Sequence, residues 1–147
     1  MKKSIFILGF AFTILSFFSF KSPNDVEIVL QKSLNISQFE TIFEKGVNGE
    51  FLPLTIVSNG LLSEDVDLNY DGKSIQIIRK IGKGDFENHK YISLNGLKMK
   101  NRKSILEFSY GEKKVKVKMK KRDGEWVFNF LSIKGDGTLH VHIDSEF

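Results

Sequence analysis

The sequence predicts an α+β domain in which N-terminal helices pack on a curled antiparallel β-sheet, a meander of four to six strands. Three observations carry that expectation. Apolar residues recur at helical spacing between Val26 and Val47, the period falls to two from Val66 onward, and Asp-Gly or Gly-Glu pairs punctuate the second half at hairpin spacing.

The length, 147 residues, suits one domain. Residues 1–20 read as a signal peptide, and residues 21–147 as a single α+β domain. Lys2 and Lys3 precede an unbroken apolar run from Ile5 to Phe20, and a polar stop follows at Lys21, Ser22, Pro23, Asn24 and Asp25. A basic start and an apolar segment short for a membrane span are the layout of an export signal, so the expected location is periplasmic or secreted. Only Ser16, Ser19 and Ser22 stand where an A-x-A-like cleavage pair is usual, among bulky Phe residues. A retained N-terminal anchor is therefore the alternative, and membrane contact is expected only through such an uncut leader. The chain has no cysteine, which excludes disulfides, thiolate catalysis, Cys-ligated zinc and a lipid-modified cysteine.

After the leader, Val26, Val29, Leu30 and Leu34, then Phe39, Ile42, Phe43 and Val47, form stripes of 3-, 4- and 7-residue spacing. Asn24 or Asp25 can cap the first segment, Ser37 with Glu40 makes a capping box for the second, and Gly46 and Gly49 end it. The expectation is two short helices, or one helix kinked near Asn35. The stretch FLPLTIVSNGLLSE reads as an apolar connector, because Pro53 argues against a helix interior and a central strand. Val66, Leu68 and Tyr70 alternate with Asp67, Asn69 and Asp71 into an Asp71-Gly72 turn, a half-buried strand. Residues 73–81 fit either a strand or a short helix capped by Ser74.

The last fifty-odd residues read more plainly. KYISLNGLKMK, SILEFSY, KKVKVKMKK, EWVFNFLSIK and TLHVHID are strand-like runs, the later ones separated by Gly111-Glu112, Asp123-Gly124 and Asp136-Gly137. Asp-Gly tolerates the positive φ that primed hairpin turns need. In KKVKVKMKK, Val115, Val117 and Met119 face one way and Lys116, Lys118 and Lys120 the other. In EWVFNFLSI, strict alternation sets Trp126, Phe128 and Phe130 against Val127, Leu131 and Ile133, with polar Asn129 on the second face.

Helices followed by a sheet that ends in the long hairpin VKVKMKKRDGEWVFNFLSI resemble the nuclear-transport-factor-2-like, cystatin-like cone fold of exported bacterial proteins. The resemblance spans roughly residues 25–134 and is most pointed at that hairpin. It implies a pocket in the sheet's concavity and no particular reaction, since the fold hosts enzymes, carriers and modules of unknown role.

Charge is divided along the chain. Residues 25–87 hold eleven acids and six bases, whereas residues 88–147 hold thirteen bases and seven acids. The sequence therefore offers three candidate sites. An apolar pocket would be lined by Trp126, Phe128, Phe130, Tyr91 and Tyr110, with Asn129 or Asp67 as its polar element. An anionic partner would meet Lys116, Lys118 and Lys120 on one strand face, for which a solvated edge or face, where lysine prevents sheet-to-sheet aggregation, is the plainer explanation. A metal would be shared by His140 and His142, which project together two residues apart, with Asp144 or His89 as a third ligand. That same spacing also describes the wet face of a last strand whose Leu139, Val141 and Ile143 turn inward. No nucleophile elbow, phosphate loop or calcium loop is present in the sequence.

The expected function is thus an exported, non-catalytic binding or accessory module that needs no cofactor. Its ligand would be a small apolar molecule or an anionic surface, and nucleic acid is disfavoured because the wet strand face shows no stacking aromatics. The competing reading is an enzyme of the cone fold, or a small metal-dependent hydrolase using His140 and His142.

Overall fold

The Asn24 side-chain oxygen accepts the Glu27 N–H at 2.9 Å and so caps helix α1, Asp25–Leu34. The structure, a computed structural model, describes residues 24–82 and 89–142. The expected leader therefore lies outside the described residues, as do Ile143 and Asp144.

Helix α1 buries Val29, Leu30, Ser33 and Leu34, the face its spacing predicted, and packs on the sheet at the strand Glu125–Lys134. The second predicted helix is a five-residue 3-10 turn, Ser37–Thr41. Phe39 and Phe43 still reach the core, at 0% and 4% exposure, but Val47 is fully exposed. One tight turn is enough to bury the two rings. The Thr41 hydroxyl donates to the Gln38 carbonyl at 2.8 Å, a local bond that competes with helix continuation.

The sheet strands are β1 (Thr55–Val57), β4 (Gln76–Ile78), β5 (Ile92–Lys100), β6 (Lys103–Tyr110), β7 (Lys113–Arg122), β8 (Glu125–Lys134) and β9 (Leu139–His142). They lie in the order β4-β1-β5-β6-β7-β8-β9. A separate two-residue hairpin, β2 (Asn69–Tyr70) and β3 (Lys73–Ser74), turns at Asp71-Gly72, with φ of 50° and 72° as a primed turn requires.

This architecture corrects the expected helices on an antiparallel meander. A single α-helix is present among the described residues, and the sheet is mixed, because β1 pairs in parallel with both β4 and β5. The source of the parallel pairs is the segment expected to be a connector. Pro53 stands two residues before β1, where its missing N–H breaks no ladder bond, and Ile56 and Val57 are buried between two neighbours. Residues 73–81, open between helix and strand, supply β3 and β4 on either side of the buried Ile75.

From β5 to β9 all neighbours are antiparallel. One face of these strands, with Ile92, Leu94, Leu106, Phe108, Val115, Val117, Met119, Leu131 and Ile133, is buried against α1, the 3-10 turn and the β2–β3 hairpin. Phe39 meets Phe108 edge-on at 5.6 Å, and Phe43 meets both Tyr70 and Tyr110 edge-on at 5.0 Å, so aromatic packing joins the layers.

Two bulges decide which side chains reach the other face. In β8 the register passes from Phe130 opposite Lys118 to Phe128 opposite Met119, leaving Asn129 as the extra residue. In β5 it passes from Leu94 opposite Phe108 to Gly96 opposite Glu107, leaving Asn95 extra. Strict alternation in β8 is therefore corrected. Trp126, Phe128, Leu131 and Ile133 share the inner face, while Val127, Phe130 and Ser132 share the outer one.

Candidate anion-binding groove

The outer face of β5–β9 carries the lysines. Alternation in β7 places Lys114, Lys116, Lys118 and Lys120 in one file, because Val115, Val117 and Met119 occupy the inner side at 3% exposure or less. Cross-strand pairing aligns neighbours with that file: Lys103 sits opposite Lys120, Ile105 opposite Lys118, Glu107 opposite Lys116, and Lys134 opposite Lys114. Lys98 and Lys100 of β5 extend the same surface beyond β6.

Part of this face is concave. A groove of about 490 Å³ is lined by Lys114, Lys116, Lys118 and Lys134, with Asn95, Phe130, Ser132 and His140 along it. Glu107 is the one carboxylate among its described lining residues. It receives the Lys116 ammonium at 2.6 Å. That hydrogen bond, aided by the charges of Lys116 and Lys98 and opposed by partial burial, holds the Glu107 carboxyl below its ordinary value.

The groove's aromatic element is Phe130, brought outward by the bulge. The Lys118 ammonium lies 4.9 Å from the centre of its ring, a cation–π contact. The imidazole of His140 lies near-parallel to the same ring, at 24° and 6.2 Å between centres. Asn95 donates to the Ser109 hydroxyl at 2.7 Å, and Ser132 sits between Lys116 and His140 in the ladder. The arrangement can hold negative charge on several ammonium groups while an aromatic ring and neutral polar groups meet uncharged parts of a ligand.

No protein-family model, curated protein or solved structure matches the chain.

The residues expected to line an apolar pocket are dispersed. Trp126 and Tyr110 are buried core residues, Phe128 packs against that core, and Tyr91 is half-buried beside Ile92. Phe130 is on the opposite face, Asn129 occupies the bulge, and Asp67 is exposed between buried Val66 and Leu68. The Tyr110 hydroxyl accepts the Glu44 N–H at 3.2 Å, and burial raises its pKa above the ordinary value.

Of the metal candidates, His140 belongs to the groove, whereas His89 lines a separate recess of about 240 Å³ with Glu44, Lys90 and Tyr110. The backbone of His142 pairs with Phe130, its side chain is outside the described parts, and Asp144 is outside the described residues. No cluster of three metal-ligating side chains occurs among the described residues.

Lys116, Lys118 and Lys120 do share one face, and Lys116 and Lys118 line the groove. Sequence reasoning did not reach Asn95, Glu107, Ser132 and Lys134 as parts of a site. Their signal is positional: each joins the groove through cross-strand register, which a single strand's alternation does not reveal.

Proposed function

We propose that the protein is an exported, non-catalytic binding module that takes an anionic ligand in the outer-face groove. The leader pattern of Lys2, Lys3 and the following apolar run supports export. The observation that carries the binding reading is the excess of charge at one concave place: Lys114, Lys116, Lys118 and Lys134 surround a single carboxylate that Lys116 already neutralises. β7 is an interior strand paired on both sides, so its lysines protect no edge, and their convergence on one groove favours an anionic ligand over a plain solvated face. Such a field draws in anionic partners and weakens as salt screens it.

A dextran sulfate binding assay at low salt, using the mature chain and its Lys116/Lys118/Lys120→Glu variant, tests this reading. The wild type should bind and release as salt rises, and the variant should not bind. Retention of binding by the charge-reversed variant would remove the groove as the site.

A further inference from the structure

The layout of the groove narrows the ligand to one class. The file Lys114, Lys116, Lys118 and Lys120 runs along β7 with successive Cβ atoms roughly 6.5–7 Å apart. A file of charges matches a linear polyanion. The groove is concave, so a chain can enter it where a flat bilayer cannot. Its cations are all lysine, compact point charges without the planar fork that favours bidentate phosphate recognition. Nucleic acid would call for an aromatic platform at successive bases, and here one phenylalanine serves several lysines.

Two further features ask for more than charge. The Lys118 ammonium is held 4.9 Å above Phe130, so an acid group paired with Lys118 brings the atoms attached to it against an aromatic ring. Asn95 is exposed beside the lysines and, with its amide N–H donated to Ser109, turns an acceptor oxygen to the groove that suits a hydroxyl. A polymer that carries an acid group, an apolar C–H face and hydroxyls on each unit meets all three demands.

We infer that the ligand is a linear acidic glycan lying along β7, with one sugar ring against Phe130 and its acid group on Lys118. This rests on the anion-binding reading of the groove and specifies its ligand. Phe130 and His140 then give ring selectivity, while the lysine file gives attraction that depends on charge alone.

The test compares oligogalacturonate, chondroitin sulfate oligosaccharide and charge-matched poly-aspartate on the mature wild-type chain and on Phe130→Ala, by fluorescence anisotropy at low salt. At least one glycan should bind about tenfold more tightly than poly-aspartate, and Phe130→Ala should reduce that preference to about twofold or less. Oligogalacturonate carries carboxylates alone and chondroitin sulfate both carboxylates and sulfates, so tighter binding of the second shows that sulfate adds affinity. Saturation-transfer NMR on the wild type, which needs no variant to fold, should show ring C–H protons of the bound sugar receiving magnetisation from aromatic protein protons.

Equal affinity for glycans and poly-aspartate, or a preference that survives Phe130→Ala, would overturn the glycan inference and leave the anion-binding groove standing. Tighter binding to phosphatidylglycerol vesicles or duplex DNA than to any glycan would also overturn it. Failure to bind any of these polyanions would overturn both readings.

Discussion

Glu107 and Lys116 face each other across β6 and β7 with 2.6 Å between carboxylate oxygen and ammonium, and this pair sets the charge of the groove. Both side chains are about two-fifths exposed, at 40% and 44%, so water screens the bridge and its contribution to stability stays within about 1 kcal/mol. Its larger effect is on the ligand, because the carboxylate repels an anion and occupies Lys116. Glu107→Gln should therefore tighten polyanion binding several-fold with little change in unfolding midpoint. Weaker binding in this variant would show that Glu107 positions Lys116 for the ligand.

The same pair gives a pH dependence. The folded Glu107 carboxyl titrates below the ordinary value of 4.5, because Lys116 hydrogen-bonds its charged form. A lowered carboxylate supports the fold fully above the ordinary value and loses that support as pH falls through the depressed one. Binding of a sulfated polymer, which stays charged in acid, should strengthen over that interval in the wild type. In Glu107→Gln that added strengthening should be absent, as paired titrations would show.

Deleting Asn129 should leave a folded protein. Without it, Trp126, Phe128, Leu131 and Ile133 still fall on one face and Val127, Phe130 and Ser132 on the other, now in strict alternation. What is lost is the local bend and twist that a bulge supplies. The deletion variant should keep a cooperative unfolding transition and bind polyanions more weakly. A variant that cannot fold would contradict the register, and unchanged binding would deny the bulge any part in shaping the groove.

Layer packing should depend on Phe108, which is 1% exposed and meets Phe39 edge-on. Phe108→Ala should cost about 3–5 kcal/mol in urea unfolding, through lost burial and the cavity left behind. By contrast, Asn24→Ala removes one helix cap and should cost about 1 kcal/mol. Similar losses in the two variants would mean that α1 and the 3-10 turn are not joined to the sheet through the Phe39–Phe108 contact.

The anchoring of α1 adds a charge term. Lys121 lies 3.0 Å from both oxygens of Asp25, and its hydrogen bond is the chief cause that lowers the Asp25 carboxyl below the ordinary value of 3.8. The Trp126 indole N–H adds to the lowering. Lys32 donates to the Trp126 carbonyl at 2.9 Å, so helix and strand are tied from both sides.

The sequence carried the local patterns well and the pairings poorly. The inner stripe of α1, the alternation of Val115, Val117 and Met119 with lysines, and the Asp71-Gly72 and Asp123-Gly124 turns all follow from residue type and spacing. The parallel placement of β1 does not, because a three-residue strand after Pro53 owes its position to neighbours distant in sequence. Nor does the face of Phe130. Read straight, EWVFNFLSI is apolar on both sides, and only the partner strand shows that Asn129 is extra. The groove was legible as far as its lysines, since those lie on one strand. Glu107, Ser132 and His140 join them only through register across three strands.

Amide chemical-shift mapping during titration with a low-salt acidic oligosaccharide tests the central claim most directly. The account predicts that the largest shifts gather at Lys116, Lys118, Phe130, Ser132 and His140, and that added salt reverses them. Shifts gathered instead around Glu44, His89 and Lys90, or none at a concentration that saturates binding, would contradict it.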